Sequence, residues 1–291
     1  MTRSYKVAGH IFSFILPEGH PLWGKMVQYE PFALPSPEPS LFTVELVESL
    51  PEVKMEKVYG GEEEPEQPVV LLYRGAEGWA FEMAPCQGRP LSGRVIADKD
   101  FSHARLFVLN PREGLFALNN AAMLMFAFRT ASYATLEMHA SVVVNGGKAF
   151  LWLAKSGTGK STHSQLWLRN IAGTTPLNDD DPVIRVMEDG HVEAFGTPWS
   201  GKTPCYKNEH YPVGAISEIV RSSENRITRK NLLQSYALLY SSSSGLKFFH
   251  DSADALHAAY EKTLAAVPCF TLECRPDADA ARVSSQTLLS L

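Results

Sequence analysis

The chain has 291 residues, enough for one large domain or two ordinary ones. Its 45% hydrophobic and 20% charged content is that of an ordinary globular chain. A formal net charge of −5 lacks the basic excess that nucleic acid or an anionic membrane surface demands, and no window approaches the roughly 20 apolar residues that span a bilayer.

The opening MTRSYKVAGHIFSFILPEGH alternates like a strand and carries no small-residue cleavage site, so no signal peptide is expected. Residues 1–114 read as a β-rich N-terminal domain of unknown role. Its expected strands are Ile11–Leu16, Phe42–Leu46, Val69–Tyr73, Trp79–Met83, Arg94–Ala97 and Arg105–Leu109. Pro-rich or acidic loops separate them, and the run Glu62-Glu63-Glu64 reads as a solvated loop. Over 115–136 alanine, leucine and methionine dominate, which predicts a buried helix connecting this domain to a core over 137–291.

That core opens with His139 and then SVVV-NGG-KAFLWLA, two strands around Asn145-Gly146-Gly147, a hairpin signal. The second strand feeds Ala154-Lys-Ser-Gly-Thr-Gly-Lys-Ser161, followed by a helix over 160–170. This is the strand, loop and helix order of a phosphate-binding loop, with Ala154 where the first glycine normally stands. Gly157 and Gly159 let the loop curl with its N–H groups inward. Lys160 supplies a mobile charge for β- and γ-phosphates, Ser161 a hydroxyl for magnesium, and the helix its positive end. The expected nucleotide contacts are Ser156, Gly157, Thr158, Gly159, Lys160, Ser161 and Thr162. His163, just beyond them, reads as solvent-facing.

Nineteen residues past Lys160 begins Asp179-Asp180-Asp181 on a strand. Adjacent carboxylates on an extended segment point to opposite faces, so one of Asp179 and Asp180 is expected to meet the metal while the other supports the loop or meets an acceptor. A second hairpin follows, Pro182–Met187 and His191–Phe195, turned at Asp189-Gly190. In the next loop, Gly196–Thr203, Lys202 is within reach of a phosphate and an exposed Trp199 can stack on a flat ring. Helices near 228–241, 252–266 and 277–289 and a strand at Cys269–Cys274 complete the chain. Cys86, Cys205, Cys269 and Cys274 lack metal-finger spacing and read as reduced thiols of a cytoplasmic protein.

From about Leu136 onward, the order of histidine, hairpin, SGTGKST loop, paired aspartates and glutamate-bearing strand resembles the kinase core of HPr kinase/phosphorylase, in its compact bacterial branch. The resemblance implies a phosphoenolpyruvate carboxykinase-type α/β (α+β) fold on a mixed, largely antiparallel sheet. It further implies a kinase using ATP and Mg2+. In it Lys160 binds phosphate, Ser161, Asp179, Asp180 and Glu193 serve the metal, Asp180 takes the acceptor's proton, and His139 lies beside Asp180. The acceptor would be a hydroxyl of a small molecule or of a protein or peptide serine. Such relatives often form homo-oligomers, although no heptad marks an interface here. Glu193-Ala194-Phe195-Gly196 replaces the family's Glu-x-Arg-Gly, so HPr itself is not the expected substrate, and the chain lacks the motifs of a carboxykinase. The competing expectations are a nucleotide-binding regulatory or maturation protein without phosphoryl transfer, and a site for inorganic phosphate or pyrophosphate alone.

Overall fold

A computed structural model of the chain describes residues 1–60, 67–201 and 203–291. The acidic run Glu62-Glu63-Glu64 and Lys202 lie outside the described residues. The chain divides into two compact units, Met1–Arg129 and Thr130–Leu291, each built on a large mixed sheet.

The first unit runs β1 (Thr2–Val7), β2 (His10–Ile15), β3 (Phe42–Leu46), β4 (Met55–Tyr59), β5 (Val69–Gly75), β6 (Gly78–Ala84), β7 (Gly93–Asp98), β8 (His103–Val108) and α1 (Gly114–Thr130). Its eight strands take the order β1-β2-β3-β8-β7-β6-β5-β4, parallel at β2-β3 and β3-β8 and antiparallel elsewhere. The six expected strands are all present; β1 and β4 are additional. Apart from a half-buried Met55, β4 is exposed along its length, so it carries no apolar alternation to read.

Paired registers bring aromatic rings together. Phe12 lies opposite Phe42 and stacks on it at 5.2 Å, and Phe126 of α1 meets both rings edge-on at 6.3 and 6.4 Å. The helix also passes so close over β7 that a Cβ on Gly93 would stand 2.8 Å from that of Ala117. It therefore packs within the first unit and ends at Thr130, short of the expected 136. Ala134, at φ 52°, turns the chain into a strand instead.

The second unit runs β9 (Thr135–Glu137), β10 (Ala140–Asn145), β11 (Lys148–Leu153), α2 (Lys160–Asn170), β12 (Thr175–Asp180), β13 (Val183–Val186), β14 (Val192–Phe195), β15 (His210–Arg221), β16 (Arg226–Arg229), α3 (Leu232–Ser242), α4 (His250–Ala266), β17 (Cys269–Cys274) and α5 (Ala278–Leu288). The sheet order is β12-β10-β11-β15-β14-β13-β9, with β17 beside β15 and β16 beside β17. Among the described residues β11-β15 and β15-β17 pair in parallel and the other pairs of this sheet are antiparallel, so the sheet is mixed and largely antiparallel, as expected. No helix among the described residues is long and apolar enough to cross a membrane.

Both faces of this sheet are buried, which explains the continuous apolar runs of β10 and β11. Val142, Val144, Leu151 and Leu153 pack with Leu238, Leu239, Leu256 and Tyr260 of α3 and α4. Val143, Phe150 and Trp152 pack on the other face with Trp167 of α2 and Ala280, Ala281 and Leu288 of α5. Three elements depart from expectation. β9 takes the end of the helix predicted over 115–136, β15 was not anticipated, and β16 runs into the start of the helix expected near 228–241, which begins only after the Asn231 cap.

His163 is a further correction. Lys160, His163, Ser164 and Trp167 recur at helical spacing and form the buried stripe of α2. The imidazole of His163 is 2% exposed, edge-on to Trp152 at 4.4 Å, with Nε2 3.1 Å from Ser284 Oγ. Ser284 donates to the Ala280 carbonyl and accepts from Trp167 Nε1, so His163 Nε2 donates to Ser284 Oγ, and Nδ1, buried with no partner among the described residues, favours the neutral ring. Burial pushes its pKa down from 6.5 to about 4.

The unfolded chain therefore binds the proton first. The stability conferred by neutral His163 is full above about pH 6.5 and is lost as pH falls toward 4, by roughly 3 kcal/mol in all. Denaturant unfolding of the wild type and His163→Leu across pH 4–7 should show the wild type losing about that much relative to the variant. Parallel curves would contradict this account.

Candidate functional site

The β10–β11 hairpin sets the site's geometry. Gly146 and Gly147, at φ 58° and 77°, make a two-residue turn closed to side chains that avoid positive φ. The register that follows puts Ala140 opposite Leu153, so His139 and the loop after β11 leave the sheet at one end. On the other side of β10, Ala140 lies opposite Asp180 and Ser141 opposite Asp179. Three stretches far apart in sequence thus converge at one sheet end, where α2 also begins.

There Lys160 Nζ lies 2.7 Å from His139 Nε2 and donates to the Ala154 carbonyl at 3.2 Å. A charged ammonium can only donate, so His139 Nε2 accepts and the ring proton sits on Nδ1. That nitrogen is 3.4 Å from Asp180 Oδ1. Burial, and then the Lys160 charge, push the His139 pKa down, which agrees with a neutral ring. Burial likewise lowers Lys160, opposed by Asp180, Asp181 and Asp179, and raises Asp180, opposed by His139 and Lys160.

The loop curls at Gly157 (φ 72°) and Gly159 (φ 131°). Arg221, at the end of β15, donates to the carbonyls of Gly157 and, at 3.2 Å, Thr158. A trans peptide sets N–H opposite C=O, so the Gly159 N–H points away from Arg221. Ser156, Ser161 and Thr162 are exposed around the loop and the first turn of α2, with Thr158 half-buried. Arg221 was not anticipated, because the strand that carries it was not.

Asp180 has φ 148°, a rare conformation for a residue with a side chain. The departure from the regular pleat has a direct consequence. Asp180 and Asp181 do not point to opposite faces; oxygens of both, together with a nitrogen of His139, lie within 4.8 Å of one another. Behind them Glu137 is 2% exposed, and its Oε2 has no hydrogen-bond partner among the described residues. Burial, and then the charge of Asp181, raise its pKa well above the usual carboxylate range, and Asp181 is raised by burial and by Asp180. This crowding of carboxyls suits a divalent cation, which prefers oxygen ligands and tolerates one imidazole. Glu137 and Asp181 were missed as site residues. The triple aspartate signalled the second; nothing in the sequence signalled the first.

Glu193 is not in this group. Val192 and Ala194 face the core, so period-two alternation turns Glu193 to the other side. Its carboxylate is engaged by His191 Nε2 at 3.3 Å and His210 Nδ1 at 2.7 Å. The expected metal role of Glu193 thus has no geometry here. Trp199 is also corrected, being 3% exposed rather than available for stacking. Its loop clamps the aspartate strand: Thr197 Oγ1 donates to the Asp181 carbonyl, Asn178 Nδ2 donates to Thr197 Oγ1 and the Trp199 carbonyl, and Gly201 N–H donates to the Asp179 carbonyl at 2.6 Å. A Cβ on Gly201 would stand 2.8 Å from Asp180 Oδ2. A cavity of about 960 Å³ between the β13–β14 hairpin and α4 holds none of the expected site residues.

No protein-family model and no curated protein matches the chain. Among solved structures there is a distant similarity to the HPr(Ser) kinase/phosphatase from Coxiella burnetii. It has 12% identity over 53% of this chain and 97% of that one, with a TM-score of 0.33. A likeness that loose fixes neither family nor activity.

The clamp is testable without a ligand. Thr197→Val removes a buried hydroxyl that bridges Asn178, Trp199 and Asp181, and should cost about 1–3 kcal/mol in chemical denaturation, with Thr197→Ser restoring most of it. A change within about 0.5 kcal/mol, the usual range of surface substitutions, would contradict the clamp.

Proposed function

We propose that the second unit is a Mg-nucleotide-dependent phosphotransferase that moves a γ-phosphoryl group to a hydroxyl, with ATP as donor. The observation that carries this reading is the Lys160–His139–Asp180 chain at the mouth of a glycine loop. It joins a cation suited to phosphate with a carboxylate suited to a hydroxyl proton. The loop amides and the positive end of α2 bind the phosphates. Lys160 exchanges its contacts to His139 and Ala154 for phosphate oxygens, and Ser161 is exposed on the turn where a metal-bearing triphosphate would lie.

The donor set supports a divalent cation. Asp180 and Asp181 would hold it, backed by Glu137, whose buried Oε2 has no partner among the described residues. When bound, Mg2+ supplies charge neutralisation of the transferring group. His139, neutral and protonated on Nδ1, orients Asp180. Asp180, placed by that contact, would take up the proton of the acceptor hydroxyl as the new P–O bond forms and the bond from the γ-phosphorus to the ADP oxygen breaks. Asp179 is held through its backbone carbonyl by Gly201 and Ser200, so its proposed share in metal or water binding is secondary. A second reading, a nucleotide-binding regulatory protein without transfer, is favoured by Ala154 in place of the first loop glycine.

The test is ADP release from Mg-ATP across a panel of small hydroxyl compounds and seryl peptides. Asp180→Asn should lower acceptor-dependent turnover at least ~100-fold, the lower range for a general base, with ATP affinity within a few-fold of wild type. Equal turnover in the variant would remove Asp180 from the mechanism. ATP binding without turnover on any acceptor would favour the regulatory reading.

A further inference from the structure

The Lys160–His139–Asp180 set occupies one side of the glycine loop, and a separate cavity of about 350 Å³ opens at its other border. Its lining includes Gly157, Thr158 and Gly159 of the loop, but neither Lys160 nor an aspartate. A nucleoside triphosphate has the same division. Its phosphate chain lies in the loop, its reactive end reaches one way and its nucleoside the other. From these facts we infer that this cavity is the nucleoside subsite. The inference rests on the proposed nucleotide reading and deepens it.

The lining chemistry fits a flat heterocycle. Thr162 and Leu166 stand one turn apart on α2, and Ile219 and Pro276 add apolar surface. Two exposed guanidinium groups, Arg221 and Arg275, border the same space, and each has a protein partner. Arg221 is fixed by the carbonyls of Gly157 and Thr158, and Arg275 Nε by Asp277 Oδ2 at 2.9 Å. A planar guanidinium held in place can stack on an aromatic ring, and it presents donors to ring nitrogens and carbonyls. Apolar walls with a few fixed polar groups are the usual make-up of a small-ligand site, and the volume is at the small end of that range. Arg221 also has a double position, since it holds the loop and borders the cavity.

The experiment compares Mg-ATP with Mg-tripolyphosphate by isothermal titration of the full chain. Tripolyphosphate offers the loop the same phosphate chain without a nucleoside. The wild type should bind ATP at least ~10-fold more tightly than tripolyphosphate, a difference of about 1.4 kcal/mol. Ser222→Trp, at the cavity rim, fills the space and should bring the two affinities within about 2-fold while leaving tripolyphosphate binding unchanged. Arg275→Ala, at an exposed position, should narrow the ratio in the same direction and serves if the tryptophan variant fails to fold. Equal wild-type affinity for the two ligands, or a ratio preserved in the variants, would overturn the nucleoside subsite while leaving the phosphate loop intact. Binding of neither ligand by the wild type would overturn the phosphate reading itself and this subsite with it.

Discussion

The contact on which the candidate site depends is the one between Lys160 and His139. It joins the first residue of α2 to the residue before β10, and through His139 Nδ1 it reaches Asp180 at the end of β12. None of the three is a neighbour of another in sequence. Their meeting is a consequence of register: the Gly146-Gly147 turn fixes β10 against β11, and β12 then pairs with β10 so that Asp180 falls opposite Ala140. A slip of one residue in either pairing would send Asp180 or the loop to the wrong face. Buried apolar runs on both sides of β10 and β11 hold that register, so the packing of the second unit and the geometry of its site are one problem.

Around that contact the charges are unequal. Asp180, Asp181 and Glu137 bring three carboxyls together, Glu137 buried and the two aspartates half-buried, against the Lys160 ammonium and a His139 ring whose pKa is pushed down. Such a cluster is costly in isolation, and the backbone at Asp180 is itself in a rare conformation. The clamp from Thr197 to Gly201 offsets part of this cost. It ties the Asp179 and Asp181 carbonyls and Asn178 into a hydrogen-bonded frame that fixes the aspartate strand. Strain and like charge concentrated at one sheet end, and supported from a neighbouring loop, are characteristic of a site shaped for a ligand rather than for stability.

Much of this was legible in the sequence because it is local. The hairpin at Asn145-Gly146-Gly147, the loop, the 160–170 helix, strand Cys269–Cys274 and six strands of the first unit are marked by turn chemistry and alternation over a few residues. What was not legible depends on partners distant in sequence. His163 looked solvent-facing because its stripe on α2 mixes lysine and serine with tryptophan, and only α5 shows why it is buried. Asp180 and Asp181 share a space because one φ angle breaks the pleat, which no period-two argument anticipates. Glu193 carried a metal role by resemblance alone, and its two histidine partners come from its own hairpin and from β15, a strand whose central GAISEI gave no clear signal. Glu137 closes a three-residue strand whose first two residues fall at the end of the helix predicted over 115–136.

The central claim is that Lys160, released from His139 and Ala154, holds the phosphates of a Mg-nucleotide at this loop. Thermal unfolding of the wild type and Lys160→Ala, each with and without Mg-ATP, tests it most directly. Ligand at about 100 times its dissociation constant adds about 2.7 kcal/mol, or several degrees for a unit of this size. The account predicts a magnesium-dependent rise in the transition of the second unit for the wild type and none for Lys160→Ala. An equal rise in both proteins, or none in either with ATP, GTP or pyrophosphate, would contradict it.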